Sequence, residues 1–236
     1  MSDQIQRLSG EKPSRRRGRP RADQTGEVEA RVLDVATHLF LQQGFDRTTY
    51  EGIAELARAS KATLYARYPT KETLFKEVVQ RRVALALGRI SAGDEEGPLR
   101  ARILRACVML ADETFVPDVI ALMHITIVER ERFPDMAQAS YEIGFGGCVE
   151  CVAEVIAGDG YTPDQVAVAV PIATRIVEMA LMPLQMHALY GVDLALLRER
   201  ARRDVACVID MVADGLAPFE GLDRNAVPEP GPRGKR

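Results

Sequence analysis

Few residues in this chain have the types and spacing that chemistry needs. Its three histidines, His38, His124 and His187, stand far apart, with no His-Glu-x-x-His pair, no Gly-x-Ser-x-Gly elbow and no Walker-type loop. Gly144-Phe145-Gly146-Gly147 lacks the preceding strand that a phosphate-cradling turn requires, so it is expected to break or bend a helix. Cys148-x-x-Cys151 sets two thiols on one helical face, but no second pair and no nearby histidine completes a zinc site. Core packing is the first reading of the pair and thiol redox sensing the second. No catalytic residue, metal or cofactor is expected, and the chain is read as not an enzyme. Two clusters remain. One is the basic run Arg15-Arg16-Arg17-Gly18-Arg19-Pro20-Arg21; the other is Ser60 to Arg67, which mixes cations, hydroxyls and small side chains.

Charge supports a local rather than a global polyanion partner. The 236 residues carry a net charge of −3. Residues 1–21 hold +5, residues 22–80 hold −2 and residues 81–236 hold −6. A basic arm on an acidic body suits a modular DNA binder better than a protein that coats nucleic acid. With 47% hydrophobic residues the chain can bury a core, yet charges interrupt its apolar stretches before about 18 residues, so no membrane span is expected. The N-terminus has no apolar signal region, and four cysteines are too few for a disulfide scaffold, so a cytoplasmic protein, nucleoid-associated when DNA-bound, is expected.

The elements that must position these residues read as helices only. Residues 1–24 lack apolar periodicity and are expected to form a disordered arm. Val28, Val32, Val35, Ala36, Leu39 and Phe40 recur at helical spacing, with Gly44 as the C-cap, which predicts helix one over 26–43. A second helix is predicted over 49–57, opened by Thr48 and Glu51 at capping-box spacing. A third, over 60–67, has Ser60 as N-cap and Leu64 inward. Pro69 stops it, and Thr70 caps a fourth helix reaching 91. Beyond Gly93, Gly97 and Pro98, helices are predicted over 98–115, 117–132, 134–157, 163–189 and 194–216, and a disordered tail over 218–236. Pro117, Pro134 and Pro163 sit where a first turn starts, while Pro171 and Pro183 should kink or split their helix.

Two short helices joined by Ala57-Arg58-Ala59-Ser60 can set the later one in a major groove, and its outward Lys61, Ala62, Thr63, Tyr65 and Arg67 can reach bases or phosphates. A solvated face on any small helical domain is the equal alternative. Val32-Leu33-Asp34-Val35-Ala36, Leu39-Phe40, Gly44-Phe45, Thr48-Thr49, Ile53-Ala54, Ser60 to Tyr65, Tyr68-Pro69 and Lys71 to Phe75 resemble the N-terminal domain of the TetR family of bacterial transcriptional regulators. The likeness covers about 26–86. It implies that Thr49 caps helix two and touches a phosphate, that Ala62, Thr63 and Tyr65 meet the groove, and that Tyr68 and Lys71 hold phosphates; Thr48 and Ser60 are counted with them as DNA contacts. Where the family often has Gly-Val-Ser in the turn, this chain has Arg58-Ala59-Ser60, so Arg58 is expected at positive φ. In the arm, Arg-Gly-Arg-Pro resembles a minor-groove AT-hook, giving Arg17, Arg19 and Arg21 a salt-sensitive DNA role; a solubilising tail or an import signal are the alternatives.

Residues 87–217 then form a ligand-binding and dimerisation domain. Ile127 to Ala137 followed by Tyr141-Glu142 resembles the regulatory domain of a large TetR subgroup. Pliable methionines and aromatics there suit a cavity between helices, a core or a dimer seam. The cavity candidates are Phe115, Met123, His124, Ile127, Phe145, Met179 and Met182, His124 being either a guest's partner or a satisfied core histidine. The resemblance implies a homodimer through the last two long helices. The whole is read as an all-α, ligand-responsive repressor on palindromic operator DNA, released by a small apolar or amphipathic inducer. An activator or ligand-independent regulator is the first rival, and a helical enzyme or protein-interaction module is the second.

Overall fold

The computed structural model describes residues 22–91, 97–158 and 160–212, and among these all regular structure is helical. The basic run that includes Arg17, Arg19 and Arg21 lies outside the described residues, as does the tail over 218–236. Helix α1 (Ala22–Arg47) starts inside the stretch expected to be disordered. It also runs past the expected cap. Gly44 breaks it at φ 79°, ψ 178°, a conformation that side chains resist, and one further turn carries Phe45 back into the core.

Helices α2 (Tyr50–Ala57) and α3 (Lys61–Arg67) follow. The N-cap of α2 is Thr49, whose Oγ1 accepts from Gly52 N at 3.2 Å. Thr48 is buried instead and donates to the Gly44 carbonyl at 2.8 Å, which corrects its expected capping role. Ser60 caps α3 through Thr63 N at 3.0 Å, and Leu64 plugs the helix into the core. Between them Arg58 adopts φ 51°, ψ 42°, as the Arg58-Ala59-Ser60 sequence requires, and is the single non-glycine at positive φ among the described residues. The left-handed basin costs an L-residue roughly 1–2 kcal/mol, and glycine's extra chain entropy returns about half of that. Since Arg58 is exposed, Arg58→Gly is expected to raise the melting temperature by about 2–3 °C, read by circular dichroism; a lower value contradicts the strain argument.

Helix α4 (Lys71–Ser91) is opened by Thr70, which accepts from Thr73 N at 3.2 Å. It is continuous across 86/87, so the two domains expected from the sequence share this helix. Helix α5 (Leu99–Thr114) is followed by α6 (Pro117–Glu129) and α7 (Pro134–Tyr141), each with its proline in the first turn. The glycine run neither ends nor breaks its helix. Glu142–Gly146 forms one π-helical turn that leads directly into α8 (Gly147–Ala157). Helix α9 (Pro163–Ala180) opens with a complete capping box between Thr162 and Gln165. Pro171 leaves it unbroken. Pro183, which lacks the N–H that would continue the ladder, splits α9 from α10 (Met182–Leu189) at Leu181. Helix α11 (Leu194–Met211) is capped by Asp193, which accepts from Leu196 N at 2.9 Å.

Two buried clusters hold these helices. One unites α5, α8, α9, α10 and α11 around Ile103, Leu110, Phe115, Val152, Ile176 and Leu197. The other unites α1 to α4 around Phe40, Ile53, Leu64, Leu74 and Phe75, and takes in Leu122 of α6 and Met136 of α7. The second cluster therefore joins the N-terminal helices to the middle of the chain. Phe45 stacks on Phe40 with centroids 5.7 Å apart, meets Phe75 edge-on at 5.7 Å, and touches Phe133 at 5.2 Å.

Candidate nucleic-acid interface and ligand cavity

On α3 the burial pattern separates one anchoring residue from an open face. Leu64 is 1% exposed, whereas Lys61, Ala62, Thr63, Tyr65 and Arg67 all face solvent. Tyr65 is 49% exposed, and its inner ring face stacks on Tyr50 with centroids 4.5 Å apart and planes 17° from parallel. Tyr50 is itself fixed: its hydroxyl donates to the Tyr68 carbonyl at 2.7 Å, closing the C-terminal end of α3 onto α2. Burial pushes that hydroxyl up to about 12, so it remains a donor at neutral pH. Tyr50 was not foreseen as a positioning residue. It lies fifteen residues from Tyr65, and only the crossing of α2 and α3 brings the rings together.

Several cations on this face are paired within the protein. Lys61 Nζ lies 2.7 Å from Glu51 Oε1, and that hydrogen bond holds the Glu51 carboxyl below its ordinary value. Arg67 donates to Glu29 Oε1 through Nη2 at 3.0 Å and Nε at 3.2 Å. Both pairs are exposed, so water and salt compete with them and exchange for a phosphate is easy. Two expected contacts need correction. Tyr68 is 2% exposed, with its hydroxyl toward Glu29 at 3.4 Å, and Thr48 is 1% exposed; side chains so enclosed cannot reach a phosphate. Lys71 is half-buried and ties down the end of α1. Its Nζ donates to the carbonyls of Phe45 at 2.8 Å and of Asp46 and Thr48 at 3.2 Å, and it sits 4.5 Å from the Phe45 ring centroid. Thr49 and Ser60 remain on the open side as caps.

A second site lies in the other half. A cavity of about 220 Å³ is enclosed by α4, α5, α6, α7, the π turn and α8. Met123, Ile127 and Phe145 line it as expected. The other candidates do not. Phe115 is wholly buried in the core, Met179 is 41% exposed on the outer side of α9, and Met182 lies off the wall because the break at Leu181 turns it away. His124 is exposed and lines a different cleft, between α1, α6 and the segment joining α10 to α11. Sequence reading missed Arg82, Glu113, Ser140 and Tyr141 on the cavity wall. A charged residue among apolar neighbours was the available signal for the first two. Cys148 also lines the cavity; burial pushes its thiol up to about 11 and that of Cys151 up to about 12, so neither is a thiolate at neutral pH, which favours the packing reading. Among the described residues no group of histidine, cysteine and carboxylate side chains is placed to hold a metal.

The corner between α6 and α7 packs against the end of α1. Arg132 Nη1 lies 2.7 Å from Asp46 Oδ1 and 3.2 Å from Glu129 Oε2, and Phe133 touches Phe45. Asp46 is two residues before the Thr48-Thr49 step that starts α2, so this corner lies beside the base of the reading helix pair.

Comparison with known proteins matches this geometry. The family described as bacterial regulatory proteins, tetR family, matches residues 32–78, which span α1 to α4 and contain all of α3. An uncharacterized HTH-type transcriptional regulator of Mycobacterium tuberculosis is 31% identical over 106 residues, 45% of this chain and 50% of that protein. The DNA-binding transcriptional repressor TetR of Mycobacteroides abscessus is 33% identical over 103 residues, covering 40% and 51%. The chain thus spans about half the length of the curated relatives it matches. The crystal structure of a TetR-family transcriptional regulator from Streptomyces coelicolor superposes with a TM-score of 0.55 at 18% identity, over 82% of this chain and 86% of that one, which extends the shared fold to the C-terminal helices. The paired short helices and the exposed α3 face lie within the residues that match, so this part of the chain is similar to the bacterial regulatory proteins of the tetR family, and the likeness over the remaining helices is one of fold.

Proposed function

We propose that the protein is a homodimeric repressor that binds palindromic operator DNA through α3 and is released by a small molecule held in the 220 Å³ cavity. The observation that carries the DNA reading is the α3 face, where Leu64 anchors the helix while Lys61, Ala62, Thr63 and Tyr65 are exposed to solvent. Small side chains admit the helix to a major groove, and the hydroxyls and amine supply donors to base edges and phosphates. Thr49, Ser60 and Arg67 are assigned to the sugar-phosphate rim, and Arg17, Arg19 and Arg21 to salt-sensitive contacts in the minor groove. Lys71 acts here as a positioning residue for the α1 end.

A single short helix contacts too few bases for operator-level selectivity, and two copies about 34 Å apart read a palindrome. The outer faces of α9 and α11 support that pairing. Val168 and Met179, three turns apart on α9, are 66% and 41% exposed; Leu196 and Met211 on α11 are 47% and 64% exposed. The stretch Pro163–Leu189 is long and apolar enough to cross a bilayer by length and composition, with a mean hydropathy of 1.6. Its inner face, through Ala169, Ala173, Ile176 and Val177, packs in the core, so the uncovered face is assigned to a second copy in a four-helix seam.

Ligand control follows from α4, α6 and α7, which line the cavity and also pack against the DNA-reading half through Leu122 and Met136. A ligand releases DNA only if it binds the mis-spaced arrangement of the two reading heads more tightly than the DNA-bound one. Selection of bound fragments from a random duplex pool, followed by footprinting, tests the DNA reading. The expected result is an inverted repeat with half-sites about one helical turn apart and affinity that falls steeply with salt. Recovery of no enriched duplex at low ionic strength overturns it.

A further inference from the structure

We infer that the cavity ligand is a compact monocarboxylate with an apolar body of about six carbons, its carboxylate held by Arg82 and Ser140; this rests on the proposal that the cavity serves a ligand. Size sets the first limit. An apolar cavity of about 150 Å³ accommodates benzene, and drug-sized ligands occupy about 300–1,000 Å³. At about 220 Å³ this cavity holds one ring, or a chain of that bulk, plus a small polar group. The body is apolar because Val83, Leu87, Leu122, Met123, Ile127 and Phe145 make most of the wall.

Two independent observations identify the polar group. The first is charge. Arg82 and Glu113 are the charged side chains on the wall, and both are largely enclosed, at 23% and 19% exposure. Glu113 is shared: Arg89 Nη1 holds Oε1 at 2.7 Å, while Arg82 Nη1 reaches Oε2 at a longer 3.3 Å. Among the described residues two guanidiniums face this one carboxylate, Arg89 being 64% exposed to water, which leaves an excess of positive charge at the corner where the enclosed Arg82 meets the cavity. A ligand carboxylate neutralises it in a planar, two-donor geometry that guanidinium favours. An ammonium would add a second excess positive charge, and an alcohol would leave the first in place. The second observation is an orphan. Ser140, on the wall and 6% exposed, carries a buried hydroxyl with no hydrogen-bond partner, the single buried side-chain polar atom of that kind among the described residues. A buried hydroxyl without a partner is costly, and an incoming carboxylate oxygen supplies the missing acceptor.

The test titrates the full-length protein by calorimetry with benzoate, hexanoate, benzyl alcohol and benzylammonium, with the selected duplex followed in parallel by fluorescence anisotropy. At least one carboxylate is expected to bind tenfold or more tightly than both benzyl alcohol and benzylammonium. Ser140→Ala should weaken that carboxylate at least fivefold while leaving melting unchanged or raised, since it removes the orphan. Arg82→Gln should weaken it at least tenfold without weakening benzyl alcohol, and Arg82→Lys should recover part of the loss. Melting and duplex binding of each variant verify folding. Equal binding of the alcohol, tighter binding of the ammonium, or binding of no probe overturns the carboxylate assignment, while intact duplex binding in the same samples leaves the regulator reading standing. Carboxylate binding that does not change duplex affinity has the opposite meaning, confirming the ligand class and refuting its role as inducer.

Discussion

Tyr65→Ala is expected to lower affinity for the preferred duplex by at least about thirty-fold while the dimer and its melting curve stay within a few degrees of the parent. A well-placed groove contact is worth about 1–3 kcal/mol. On the proposed palindrome two copies bind, so the loss counts twice, giving at least about 2 kcal/mol, or roughly thirty-fold at 1.4 kcal/mol per decade. Stability is spared because one face of Tyr65 is already in water and the other rests on Tyr50, which stays anchored through the Tyr68 carbonyl. Tyr65→Phe keeps the stack and removes only the hydroxyl, so it separates the ring's contribution from the donor's. Anisotropy titrations at two salt concentrations provide the measurement. If Tyr65→Ala binds the duplex within threefold of the parent, α3 is not the reading element.

Phe40→Ala has the largest expected effect on the fold. Phe40 is wholly buried, stacks on Phe45 and meets Phe75 edge-on at 5.2 Å. Truncating a buried phenylalanine costs about 3–5 kcal/mol, because the ring leaves a void that packed neighbours fill poorly. For a chain of this length that corresponds to a fall of about 10–15 °C in melting temperature. The damage also travels. Phe45 carries the Lys71 amine on its ring and touches Phe133 at the inter-domain corner, so loosening Phe40 unseats the base of α2 and α3 as well. Phe40→Leu, which fills most of the volume, is expected to cost less than half as much. A melting temperature for Phe40→Ala within 3 °C of the parent contradicts this picture of the aromatic cluster.

Local rules made the helix ends readable. Ser60, Thr70, Thr162 and the first-turn prolines act through atoms within four residues, and such contacts are encoded where they occur. Arg58 was legible through the family resemblance instead, because the glycine that often stands at this place in the turn marks a left-handed position. Thr48 and Thr49 were harder to separate, because either hydroxyl can cap and only the kink at Gly44 decides which one faces inward. The site behind the helices was less legible. Periodicity shows which face of a helix avoids water, but not whether that face meets a core, a void or another copy. Phe115, Met179 and Met182 share the composition of the cavity wall, and only their azimuth and the break at Leu181 exclude them. Arg82, Glu113 and Ser140 come from three helices, so no local spacing announces their meeting.

The π turn at Glu142–Gly146 accommodates one more residue than an α-helix would over the same rise. Removing a single glycine there would let α7 and α8 fuse into one α-helical rod with the α8 stripe of Val149, Val152 and Ile156 still on the hydrophobic centre, whereas removing one residue within α8 would rotate everything downstream of it by about 100°. The π turn thereby absorbs a difference of one in segment length without changing the azimuth of the helix that follows, and shortening by one here should be better tolerated than shortening by one inside α8.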